Sequence, residues 1–204
     1  MAQTLNVYLV NKAGDLSGRF EEAHRKTCAD TLKTYLEATL GGVAKYDKAA
    51  VTWFSGTTAP TDADFVCYLL TSASDSIVAT KATKDITLGL SGSTMLSVAD
   101  KAVVCEVYMR QIVQGGDQRA NATTNRETAV ANCILHELAH NLCDATTPVV
   151  VDIHKVKGGV ICREPDGNPL KGTESPNAVD NTTFQTGFNR RVGGVKQYTG
   201  AMTP

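Results

Sequence analysis

Between Val130 and Leu142 apolar side chains recur at helical spacing, and the run His136-Glu137-Leu138-Ala139-His140 is set among them. Val130, Ala131, Ile134, Leu135, Leu138 and Leu142 form a stripe that only an α-helix packed on a core can bury. Upstream, Thr124 opens a T-x-x-E pattern with Glu127, which predicts a capped helix start. The fold must therefore carry this helix against its core, with His136, Glu137 and His140 at the edge of the buried stripe. Residues four apart share a helix face, so the two imidazoles stand together.

Two imidazoles so placed can reach one zinc ion, while the glutamate between them aims at a water beside it. An accidental H-E-x-x-H arises in a chain this long at roughly the one per cent level. The run is therefore read as a hydrolase signature, with His136 and His140 as metal ligands and Glu137 as catalytic base. Zinc held tightly with one open position needs a third protein group. The chain has 4 histidines; His24 falls on another predicted helix, and His154 follows the motif. Thr146-Thr147-Pro148 should end the helix, and an extended Val149 to Ile153 would bring His154 back beneath the metal. His154 is the expected third ligand, with Asp152 and Asp144 as oxygen alternatives. Cys133 and Cys143 lie three residues outside the paired histidines and could line the site without ligating.

With 20 basic and 21 acidic residues, a formal net charge of -1 and no sustained basic run, a nucleic-acid surface is not expected. No apolar run approaches the length of a membrane span, so no membrane partner is expected either. The start shows no charged n-region, apolar h-region or cleavage site, which makes a cytoplasmic location the expectation, with a processed exported form left open. Six cysteines, Cys28, Cys67, Cys105, Cys133, Cys143 and Cys162, are scattered singly without C-x-x-C pairs. Reduced, buried thiols are the expectation.

Along the chain, Leu5 to Val10 alternates as a strand, and Ser17 is placed to cap a long helix that runs to about Leu40 and stops at Gly41-Gly42. Ala50 to Phe54, Asp64 to Leu70 and Ser76 to Thr80 read as further strands. The stretch from Lys81 to Ser97 reads as irregular, with room for an edge segment, and Ala102 to Met109 as a buried strand. From Gly158 to Pro204 the chain is rich in Gly, Asn, Thr and Pro and predicts irregular loops. The expected fold class is α+β: a twisted mixed sheet with a long backing helix and an active-site helix. Residues 1–145 form its N-terminal subdomain, and 146–204 a small irregular C-terminal subdomain of one compact unit.

This element order, together with the segment ANCILHELAHNLCD from Ala131 to Asp144, resembles the upper lobe and active-site helix of the zincin metallopeptidases, in particular the metzincins. The resemblance implies Zn2+ as cofactor, a peptide or protein substrate, and metalloendopeptidase activity. The sequence departs from the metzincin pattern at Cys143, where the family has a glycine, and at Thr146, where it has the third histidine. Some zincin-like families place that histidine further on, as His154 would be. Others use an aspartate, and the gluzincin arrangement would correspond to Glu164 or Glu174. Gly200-Ala201-Met202-Thr203-Pro204 looks like the family's methionine turn, with Tyr198 near enough to donate to an oxyanion. Arg190-Arg191 is read as a solvated pair. The alternative function is a catalytically silent zincin-like binding or structural module, motivated by the missing glycine and histidine and by the apparent lack of a C-terminal helix.

Overall fold

The computed structural model describes residues 2–55, 62–76, 89–91, 104–110, 112–113, 126–143, 151–162, 172 and 174–190. Strand β1 (Gln3–Asn11) leads through a turn into helix α1 (Glu22–Leu40), followed by β2 (Tyr46–Phe54) and β3 (Phe65–Leu70). Then come β4 (Gly89–Ser91), β5 (Val104–Tyr108), α2 (Arg126–Cys143) and α3 (Ala178–Arg190). The strands form one five-stranded sheet in the order β2-β1-β3-β5-β4. Four of them run parallel, and β4 pairs antiparallel with β5 at the edge. This is a mixed α/β architecture, consistent with the expected α+β class.

The burial of each strand follows from its place. Every residue of β3, Phe-Val-Cys-Tyr-Leu-Leu, is buried, as befits a central parallel strand covered on both faces. Leu5, Val7 and Leu9 of β1, Phe65, Cys67 and Leu69 of β3, and Cys105 and Val107 of β5 share the main core with the helices. Val10, Val66, Tyr68, Leu70 and Tyr108 belong to a second cluster on the opposite face. Helix α1 turns Cys28, Leu32, Leu36 and Leu40 inward, one every four residues. Burying each of those leucines stabilises the fold by about 1.5–3 kcal/mol.

Helix α2 lies at the centre of the helical layer. From Ala129 to Cys143 every residue is buried except His136 and His140. The sequence pattern shows a single apolar stripe, whereas the structure covers this helix on nearly all sides, Asn132 and Asn141 included. Asn132 Nδ2 donates to Glu174 O at 3.0 Å, which ties this helix to the chain ahead of α3.

Several expectations are corrected. Ser17 does not cap α1: Leu16 and Ser17 have φ of 52° and 60°, and the Ser17 amide donates to Asp15 Oδ1 within a tight turn. The helix starts later, with Glu21 before its first turn and the Glu21 amide donating to His24 Nδ1 at 3.1 Å. Strand β2 begins at Tyr46 rather than Ala50. The edge segment for which the stretch from 81 to 97 left room is present as Gly89–Ser91. The strand expected from Ser76 to Thr80 falls, apart from Ser76, outside the described residues, as do Thr124 and the methionine turn at Met202. Ser76 itself lies in no strand; its hydroxyl donates to the buried Glu106 Oε2 at 2.6 Å.

The chain beyond Gly158 is not irregular throughout, because it contains α3. Asn177 caps this helix, its Oδ1 accepting from the amides of Val179 and Asp180 at 2.9 and 3.1 Å. Asp180 Oδ2 accepts from the Asn177 amide in return, at 2.9 Å. Phe184 and Phe188, four apart, bury one face in the main core. Gly187 lets α3 approach the end of α2, since a Cβ there would stand 2.9 Å from both Cys143 Sγ and Leu142 Cβ. Gln185 and Asn189 fasten the other side by donating to the carbonyls of Gly41 and Gly42.

Candidate metal centre

His136 and His140 are half-buried on the one open face of α2, and His154 comes to meet them from a short 3-10 turn, Ile153–Lys155. Ile153 anchors that turn by burying its side chain completely. The turn is fastened outside by an ion pair between Lys155 Nζ and Asp152 at 2.8 Å. His154 Nε2 stands 3.1 Å from His140 Nε2 and 3.4 Å from His136 Nε2. The rings of His136 and His154 are nearly parallel, at 17° and 5.4 Å between centroids, and His140 stands edge-on to both, at 88° and 87°. These three side chains form a group able to hold a metal ion.

The donor geometry permits a quantitative test. Three nitrogens at about 2.0–2.1 Å from one tetrahedral zinc must lie roughly 3.4 Å apart. The two separations above agree with that value to within a few tenths of an ångström. Chemistry points the same way. His136 Nδ1 lies 2.7 Å from the carbonyl oxygen of Ile161, which can only accept, so the proton of a neutral ring sits on Nδ1. Its Nε2 then presents a lone pair toward the other two rings. A lone pair there can accept a hydrogen bond from a neighbouring ring or bind a cation shared by all three, and imidazole suits zinc, copper, iron and nickel alike. A ligating histidine that donates its second ring nitrogen to a backbone carbonyl is also the usual arrangement around zinc.

Glu137, the next residue on α2, is 8% exposed. Burial pushes its carboxyl up to about 7, with His140 pulling down and Glu106 pushing further up. A carboxyl in that range can take up and give back a proton near neutral pH.

The structure separates the competing third ligands. Asp152 is spent on Lys155 at the surface, and neither it nor Glu174 belongs to the three-histidine group. Glu174 instead offers its carbonyl to Asn132. Asp144, Glu164, Tyr198 and Met202 lie outside the described residues, as does the Arg190-Arg191 side-chain pair. None of the six cysteines forms a disulfide, and all are buried. Cys143 does not line the site: its thiol contacts Thr183 O at 3.7 Å, under α3. Cys133 is buried in the main core.

Two participants were not legible as such in the sequence. One is the Ile161 carbonyl, a backbone group without any sequence signal. The other is Asp180, which is fully buried. The signal for Asp180 was present as N-x-x-D after Pro176, followed by Phe184 and Phe188 at helical spacing. The chain matches no protein-family model, and no curated protein shows significant similarity to it.

Proposed function

We propose that this chain is a zinc-dependent metallopeptidase of the zincin type, hydrolysing peptide bonds with Glu137 as general base. The observation that carries the proposal is the convergence of His136, His140 and His154 at zinc-ligand spacing. A buried carboxylate with a raised pKa adjoins it on the same helix. The three histidines would hold the ion. When bound, zinc supplies Lewis acidity, which polarises a carbonyl and makes a water easier to deprotonate. Glu137 accepts the proton of the attacking water and returns it to the departing amine. Its burial holds the carboxyl ready for both directions of that transfer.

The element order supports the zincin assignment: a strand, a long helix, further strands, then the H-E-x-x-H helix packed beneath the sheet. Strand β4, antiparallel at the edge, lies against α2 and offers backbone groups with which an extended peptide substrate can pair. A net charge of -1 leaves a nucleic-acid partner without support. No helix among the described residues is long and apolar enough to cross a membrane. A cytoplasmic site of action remains part of this proposal.

A silent module was motivated by the missing helix-ending glycine, the missing histidine at 146 and the lack of a further helix after the methionine turn. His154 answers the second of these by standing beside His136 and His140, and on that ground the peptidase reading is preferred. The test is cleavage of a mixed peptide library by zinc-loaded wild type and Glu137→Gln. Cleavage that falls by a factor of about 10²–10⁴ in Glu137→Gln, with zinc still bound, is expected. Equal cleavage by both proteins, or none by zinc-loaded wild type, overturns it.

A further inference from the structure

The carboxylate of Asp180 is fully buried, and among the described residues no cation pairs with it. Instead Oδ1 accepts from the backbone amides of Val160, Ile161 and Cys162 at 3.1, 3.0 and 2.8 Å. Oδ2 accepts from the amides of Val160 and Asn177 at 3.0 and 2.9 Å. Successive amides wrapped around an anion in this way form a nest, and the position in the first turn of α3 adds the favourable end of the helix dipole. Gly159 is required for the wrap, because a Cβ there would land on Cys162 O and crowd Asp180 Oδ1. The carboxylate thus fixes the backbone of 160–162.

The carbonyl of Ile161 projects from this same clamped segment to His136 Nδ1, 2.7 Å away. Ile161 and Cys162 bury their side chains completely, so the segment is held from both sides. We infer that Asp180 is a positioning residue for the metal centre: it sets the Ile161 carbonyl, which fixes the tautomer and ring orientation of His136 and so aims Nε2 at His140 and His154. Asp180 touches neither the metal position nor substrate; it acts through Ile161. The inference rests on the metal-centre reading above and extends it to a residue in the C-terminal segment, eighteen positions beyond Cys162.

Asp180→Asn keeps the shape but replaces one acceptor oxygen by a donor facing amides that also donate. Outer partners of zinc histidines contribute about 10–100-fold in metal affinity, and a loss of that size is expected for Asp180→Asn in competition with a chromophoric chelator. Leu36→Ala, a core truncation in α1, serves as the control for lost stability and should leave zinc affinity unchanged. All proteins are compared in trimethylamine N-oxide, which holds marginal variants folded. A second readout uses no metal: ¹⁵N shifts of the His136 ring in the metal-free protein should show one Nδ1–H tautomer in wild type and a mixture in Asp180→Asn. A folded Asp180→Asn with wild-type zinc affinity and a single Nδ1–H tautomer overturns the inference. Failure of wild type to bind zinc would overturn the metal-centre reading instead, while the ring tautomer would still decide the role of Asp180.

Discussion

Glu137 should make the metal-free protein less stable as pH rises, and replacing it should remove that loss. In the folded chain burial raises its carboxyl from 4.5 to about 7. Between those values the folded state holds a proton that the unfolded state has released. The stability contributed by the protonated carboxyl is therefore complete below about pH 4.5, declines as pH rises, and is gone above about 7. A shift of this size corresponds to about 3 kcal/mol. Glu137→Gln keeps the volume and never ionises, so it should match wild type near pH 4.5 and exceed it by up to about 3 kcal/mol at pH 8. Urea unfolding in the presence of a chelator, followed by far-ultraviolet circular dichroism at half-unit intervals, reads the difference. Parallel stability curves for wild type and Glu137→Gln across this range would show that the buried carboxyl is not held protonated, and the reasoning would fail.

Two further outcomes probe the packing around the site. Gly187→Ala would ordinarily favour a helix by about 1 kcal/mol, but overpacking costs about 1–3 kcal/mol, and the new methyl would meet Cys143 Sγ and Leu142 Cβ at 2.9 Å. Urea unfolding should show a net loss of about 1 kcal/mol, partly recovered when Cys143→Ala is added; a stabilised Gly187→Ala contradicts the close approach of α2 and α3. The six buried thiols should be unreactive toward a disulfide reagent in the native protein and all react in denaturant, Cys28 being held neutral by burial. Rapid native labelling of even one would contradict its burial.

The parts of the fold legible in the sequence are those whose order is local. The α2 stripe carries a helical period, β3 is a continuous apolar run, and Gly41-Gly42 stops α1 where the backbone needs a positive φ of 94° at Gly42. From the helical period alone His136, Glu137 and His140 were placed together. His154 was one of several choices, because its arrival depends on how the chain returns after α2, which no local pattern encodes. Helix α3 was missed for a related reason. Its Thr, Asn and Gly residues are weak helix formers, and the helix is held by Phe184 and Phe188 in the core and by the Asp180 nest, all tertiary. Strand β4, Gly-Leu-Ser, has no strand pattern of its own and exists by pairing with β5. Ser17 looked like a cap because serine before an amphipathic run usually is one. The glycines at 14 and 18, with φ of 69° and 80°, instead favour a turn there.

The central claim is that His136, His140 and His154 together hold one zinc ion. Its most direct test is the zinc content, by elemental analysis after loading and dialysis, of wild type, His154→Ala and Asp152→Ala. Loss of a ligand from a site worth roughly 10 kcal/mol or more should cost several kcal/mol of affinity. One zinc per chain in wild type and in Asp152→Ala, with none retained in His154→Ala, is the predicted result. Full zinc in His154→Ala, or none in wild type, would contradict it.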